Sequence, residues 1–84
     1  MHSVEFERQA RKDLRQLAPK QMRQIQRKID SLAQNPRPYD CEKVKTMPAY
    51  LKIRSGEYRI LYEVNDEEKL VIINRIRHRR EAYR

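Results

Sequence analysis

Hydrophobic and polar positions change period twice along this chain, and the changes mark its elements. Ser3-Val-Glu-Phe6 alternates polar and apolar residues, which predicts a short first strand. From Arg8 to Leu17 the period lengthens: Ala10, Leu14 and Leu17 fall at i, i+4 and i+7, one stripe of a helix. Ala18-Pro19 breaks that stripe, and Pro19 suits the first turn of a second helix, where a missing N–H costs nothing. Met22, Ile25, Ile29 and Leu32 continue at i, i+3, i+7 and i+10. The second helix should end near Gln34-Asn35, because Pro36 cannot extend it. Two amphipathic helices joined by so short a link predict a helical hairpin. Arg and Lys crowd its outer faces, as expected of solvated helix surfaces.

The period returns to two near Tyr50. Strands are expected at about Tyr50–Arg54, Tyr58–Val64 and Lys69–Arg77. Ser55-Gly-Glu57 makes the first turn with the only glycine of the chain, and Asn65-Asp-Glu-Glu68 makes the second. Connections this short require antiparallel neighbours. Asn35 to Pro48 reads as a loop with three prolines, inside which Glu42-Lys-Val-Lys45 has the make-up of a short edge strand. The resulting expectation is an α+β fold of order βααβββ, an antiparallel sheet packed against an N-terminal helical hairpin. The 84 residues suffice for a single domain spanning 1–84. No internal repeat or low-complexity segment interrupts it.

Charge changes the picture of the sheet. The formal net charge is +8, which predicts attraction to phosphate polyanions or an acidic protein, general solubility being the bland alternative. Leu51 and Ile53 point to one face of their strand, and Tyr50, Lys52 and Arg54 to the other. Tyr58, Ile60, Tyr62 and Val64 oppose Arg59, Leu61 and Glu63. The last strand is apolar on both sides until Asn74, after which Arg75 and Arg77 emerge, followed by the His78–Tyr83 tail. Lys52, Arg59 and that tail should therefore converge near one end of the sheet. The competing reading makes them rim cations paired with Glu57, Glu63 or Glu81. Cations, a His and a Tyr drawn from three adjacent segments favour a site.

Other chemistries find little support. Cys41 is the only cysteine, so neither an intramolecular disulfide nor a cysteine zinc site is expected, and a reducing compartment fits. It sits in a Pro-rich loop with no histidine close in sequence, which favours a packed thiol over a nucleophile. His2 and His78 lack metal-ligand spacing, and no Gly-rich phosphate loop is present. No metal and no cofactor are expected. Without a secretory leader or a membrane-length apolar run, no membrane association is expected and the default location is cytoplasmic.

The cationic set suits RNA cleavage by attack of a 2′-hydroxyl on the adjacent phosphate. Fixed Lys and Arg groups stabilise the charge that gathers on the phosphoryl oxygens. One group helps remove the 2′ proton, and another protonates the leaving 5′ oxygen. Tyr50 or Tyr83 could stack on a base, although either could equally serve ordinary packing.

Met47-Pro-Ala-Tyr50 leading into Leu-Lys-Ile-Arg54, the strand Glu57-Tyr-Arg-Ile-Leu-Tyr62 and the ending His78-Arg-Arg-Glu-Ala-Tyr83 occur in an order and spacing that resembles the RelE/ParE toxin superfamily over nearly the whole chain. The resemblance implies a RelE-type mRNA interferase of a type II toxin–antitoxin system. Such toxins enter the A site of the 70S ribosome and cut mRNA there without a metal, inhibiting translation. It further implies that Lys52 is the strand lysine proposed as general base, and that Arg59 stabilises the transition state. Arg79 would stabilise charge or protonate the leaving group, and Tyr83 would orient the substrate base. Tyr50, Arg54, Arg77, His78 and Arg80 would complete the RNA-binding surface. Tyr50 stands where a second strand lysine falls in RelE, and Thr46 where many relatives have glycine. Arg80 could exchange roles with Arg79. The implied partner is a RelB-like antitoxin, acidic and partly disordered, wrapping the toxin. The alternative within the superfamily is a ParE-like, non-enzymatic inhibitor of DNA gyrase. A basic binding module without toxicity is the third reading.

Overall fold

The computed structural model describes residues 1–82. Its elements run β1 (Ser3–Phe6), α1 (Arg8–Arg15), α2 (Pro19–Gln34), β2 (Glu42–Val44), β3 (Met47–Ser55), β4 (Tyr58–Asn65), β5 (Leu70–His78) and a short α3 (Arg79–Ala82). The α+β architecture expected from periodicity is present. Pro19 opens α2 at its first turn. α1 is two residues shorter than its apolar stripe suggests, and the half-buried Leu17 lies in the link beyond it. Glu42–Val44 does form an edge strand, and β3 begins earlier than expected, at Met47. Pro48 is tolerated there because β2 pairs irregularly at that corner, with a register shift between Lys43 and Val44.

The five strands lie in the order β1-β5-β4-β3-β2. β2 to β5 form an antiparallel meander, whereas β1 joins parallel to β5, with Ser3 beside Leu70 and Phe6 beside Ile73. The sheet is therefore mixed. A parallel partner becomes possible because the helical hairpin supplies the length needed to leave the sheet after β1. The core contains Ala10, Ile25, Ile29 and Leu32 from the helices and Leu51, Ile53, Ile60, Tyr62, Val71, Ile73 and Ile76 from the sheet.

Tyr62 is fully buried, yet its hydroxyl donates to the Pro36 carbonyl at 2.8 Å, anchoring the Pro-rich loop to the core. Burial, then the neighbouring Cys41, push its phenol above the ordinary tyrosine range. The same loop is pinned at its surface by Lys28–Asp40 and Arg37–Asp66, each at 3.0 Å. Each cation holds its partner carboxyl below the usual range.

β1 ends at Phe6, and α1 then covers the exposed margin of β5. Glu7 N–H donates to the Ile73 carbonyl at 2.9 Å. Further along, the Asp13 carboxylate accepts from Ile76 N–H at 2.9 Å and from Arg75 Nε at 3.0 Å. A carboxylate thus takes the place of the missing strand. Among the described residues no helix is long and apolar enough to cross a membrane.

Candidate functional site

The face of the sheet turned away from the core carries the candidate site, and strand register builds it. Residues directly opposite on antiparallel strands share a face, with Cβ atoms roughly 5 Å apart. Arg54 lies opposite Arg59, and Arg59 opposite Arg77, so three arginines form one row across β3, β4 and β5. The adjoining row is Glu42, Lys52, Leu61 and Arg75. Like charges placed opposite one another are destabilising, by about 1 kcal/mol per pair at roughly 5 Å in water.

Arg75 and Lys52 have carboxylate partners among the described residues. Arg75 is held by Asp13. Lys52 lies 3.8 Å from Glu42, whose side chain is 74% exposed, so this pair is weak and easily broken. Arg54 Nε donates to the Gly56 carbonyl at 3.1 Å, which tethers it to the β3–β4 turn. Arg77 Nε is buried without a hydrogen-bond partner in the structure.

Three adjoining hollows share Arg59. One, of about 200 Å³, is lined by Glu42, Lys52, Ile53, Arg54 and Arg59. A second, of about 50 Å³, lies among Arg54, Gly56, Tyr58, Arg59 and Arg79. The third, of about 230 Å³, has an apolar floor of Val44, Met47 and Leu61 beside Lys52, Arg59 and Arg77. Lys52 of β3 and Arg79 of α3 therefore each share a hollow with Arg59 of β4. Arg79 is brought there by its backbone, whose N–H donates to the Glu57 carbonyl at 2.7 Å.

The remaining sequence-derived residues fall in different places. Tyr50 is half-buried on the same face, two residues along β3 from Lys52. His78 pairs with Tyr58 and stacks edge-on against it, with ring centroids 5.2 Å apart, so it shares the face of Ile60 rather than that of Arg59. Its Nδ1 accepts from Arg80 N–H at 3.3 Å, fixing the start of α3, where Arg80 is exposed. Tyr83 lies outside the described residues. Glu63, considered as a rim partner for the cations, accepts from Asn74 Nδ2. Among the described residues no group of three or more His, Cys, Asp or Glu side chains is arranged to hold a metal ion.

Sequence reasoning missed Asp13, Glu7 and Asn74. All three act across more than sixty residues of chain, from α1 and its start to β5. Their only local signal was the break in alternation at Asn74.

A family model described as the ParE toxin of type II toxin-antitoxin system, parDE, matches residues 4–83. The putative toxin RelE1 of Methanocaldococcus jannaschii is 29% identical over 85 residues, covering 98% of this chain and 94% of that protein. The mRNA interferase toxin RelE of Escherichia coli is 32% identical over 84 residues, covering 95% of this chain and 87% of its own. Among solved structures, the toxin-antitoxin complex RelBE2 from Mycobacterium tuberculosis contains a chain that superposes with a TM-score of 0.82 at 28% identity. That match covers 92% of this chain and 96% of the other. The chain belongs to the ParE toxin family of type II toxin–antitoxin systems, and the toxins it resembles carry RelE names.

Proposed function

We propose that this chain is a ribosome-dependent endoribonuclease that cuts mRNA in the A site and so arrests translation in the cytoplasm. The observation that carries the reading is the meeting of Lys52, Arg54, Arg77 and Arg79 around Arg59 on an exposed sheet face. Its similarity to a toxin named an mRNA interferase, at 32% identity, supports it. We further propose that a RelB-like antitoxin, acidic and partly disordered, holds the toxin inactive by covering this face. A net charge of +8 and the likeness to a chain solved in a toxin–antitoxin complex support that partner.

The reaction needs no metal in this scheme. The 2′ oxygen of one nucleotide forms a bond to the adjacent phosphorus, and the bond from phosphorus to the 5′ oxygen breaks. The 2′ proton leaves to a base, the role assigned to Lys52, and the departing 5′ oxygen gains a proton, from Arg79 or through water that it orders. A 2′,3′-cyclic phosphate and a 5′-hydroxyl remain. Negative charge on the phosphoryl oxygens peaks at the transition state, where Arg59 and Arg79 are worth most. Tyr83 is assigned to base stacking, with Tyr50, Arg54, Arg77 and Arg80 helping to hold the strand, while His78, packed against Tyr58, fixes the start of α3.

Arg59→Ala and Arg79→Ala test the reading. Each should slow cleavage on translating ribosomes by about 10²–10³-fold, the usual cost of one transition-state donor. Both should still fold and bind antitoxin. Brief induction followed by mapping of mRNA 5′ ends should show cuts at codon positions for the parent and none for the variants. Full toxicity of both variants refutes the site. Intact messages together with lost DNA supercoiling would point to gyrase instead.

A further inference from the structure

We propose that Asn74 is a positioning residue for the cleavage face, an inference that rests on the nuclease reading above. Val71 and Ile73 of β5 face the core. Unbroken alternation would send Arg75 and Arg77 into the core as well and turn Ile76 outward. The register shows how this is avoided. Tyr62 pairs with Ile73, but the next residue back along β4, Leu61, pairs with Arg75. Asn74 is thus one residue too many, a bulge that resets the phase of the strand. Ile76 returns to the core, and Arg75 and Arg77 come out beside Leu61 and Arg59.

The side chain of the inserted residue has an unusual setting. Asn74 is only 6% exposed. Its Nδ2 donates to Glu7 Oε1 and to Glu63 Oε2, both at 2.9 Å. Its Oδ1 is buried with no hydrogen-bond partner in the structure. One neutral amide therefore occupies two carboxylates that lie next to the cationic rows. If the amide were removed, the strongest donors near them would be guanidinium groups, because ionised pairs outbid neutral hydrogen bonds. An arginine engaged by a fixed carboxylate is no longer offered to a phosphate. Asn74 thus acts twice through one position. Held as a bulge, it leaves Arg75 and Arg77 on the face of Arg59, and its amide ties the Glu7 and Glu63 carboxylates away from the arginines of that face.

The test uses the full chain on translating ribosomes under single-turnover conditions. Asn74→Ala keeps the inserted residue and deletes the amide. Its rate at saturating ribosomes should fall about tenfold or more, approaching the loss of one charge-stabilising donor, with little change in the ribosome concentration giving half-maximal rate. Adding Glu7→Gln and Glu63→Gln to Asn74→Ala should restore the rate to within about threefold of the parent, since neutral side chains no longer compete for the arginines. A merely structural role predicts no such recovery. Should Asn74→Ala fail to fold, deletion of Asn74 is the second variant. It restores plain alternation with the same faces, lacks the amide, and should show the same loss and the same rescue. A parent-like rate in the amide-free variant, or a loss that persists after both Gln substitutions, overturns the role of Asn74 alone. A parent chain that leaves translated messages intact overturns the nuclease reading and this role with it.

Discussion

Replacing Asp13 by Ala should be among the most damaging single changes outside the core, and its cost follows from two contacts. The side chain is 9% exposed and accepts from Ile76 N–H at 2.9 Å and from Arg75 Nε at 3.0 Å. Removing it leaves the Ile76 amide buried beneath α1 without an acceptor, at about 1–3 kcal/mol. Arg75, 37% exposed, regains water, so its lost ion pair adds only about 0–1 kcal/mol. The sum is about 1–4 kcal/mol, against a total stability of about 4–12 kcal/mol for a domain of this size. The melting temperature should fall by about 4–30 °C, at roughly 4–8 °C per kcal/mol. Asp13→Asn keeps an oxygen for Ile76 and gives up only the charge, so it should cost about 1 kcal/mol. Urea denaturation of the three proteins measures the differences, and amide hydrogen exchange at Ile76 localises them. If Asp13→Ala costs under about 1 kcal/mol, or Asp13→Asn costs as much as Asp13→Ala, then a carboxylate does not substitute for the missing strand.

Two further outcomes are expected. Tyr62 keeps its proton in the folded state to a higher pH than in the unfolded chain. Its contribution is therefore whole below about pH 10 and declines as pH rises further, by up to about 1.4 kcal/mol per pH unit. Tyr62→Phe should flatten the alkaline limb of a melting-temperature profile while costing about 1 kcal/mol at neutral pH through the lost bond to Pro36; an unchanged limb would refute the burial argument. Gly56 sits at φ 60°, and an added Cβ would approach Gln24 Nε2 to 3.2 Å. Gly56→Ala should cost about 1 kcal/mol, chiefly from the left-handed backbone, since the Gln24 side chain can swing away. A neutral result in a denaturant melt would contradict that assignment.

What the sequence revealed follows the range over which each signal acts. The helix stripe of Ile25, Ile29 and Leu32 and the alternation of Leu51 and Ile53 are local, and these residues are buried as their period requires. The row of cations followed from alternation plus two short turns, because a hairpin fixes its own register. β1 was legible as a strand but not as a partner of β5, since nothing in Ser3–Phe6 states which edge it will join. The same limit hid Asp13, whose role depends on α1 crossing the margin of a strand sixty residues later. His78 was placed with the tail cations on proximity in sequence. The bulge at Asn74 gives it instead to the face of Tyr58.

The pairing of β1 with β5 has a consequence for the moment at which this protein becomes dangerous. β1 must wait for β5 before it finds its hydrogen-bonding partner, and Arg77 and Arg79 arrive with β5 and α3. A nascent chain that has emerged only as far as β4 therefore lacks both the pairing of β1 and two of the five cations grouped at Arg59. On the nuclease reading, the ribosome that makes the toxin is spared by it until β5 and α3 have been made, which gives a neutralising partner time to be in place.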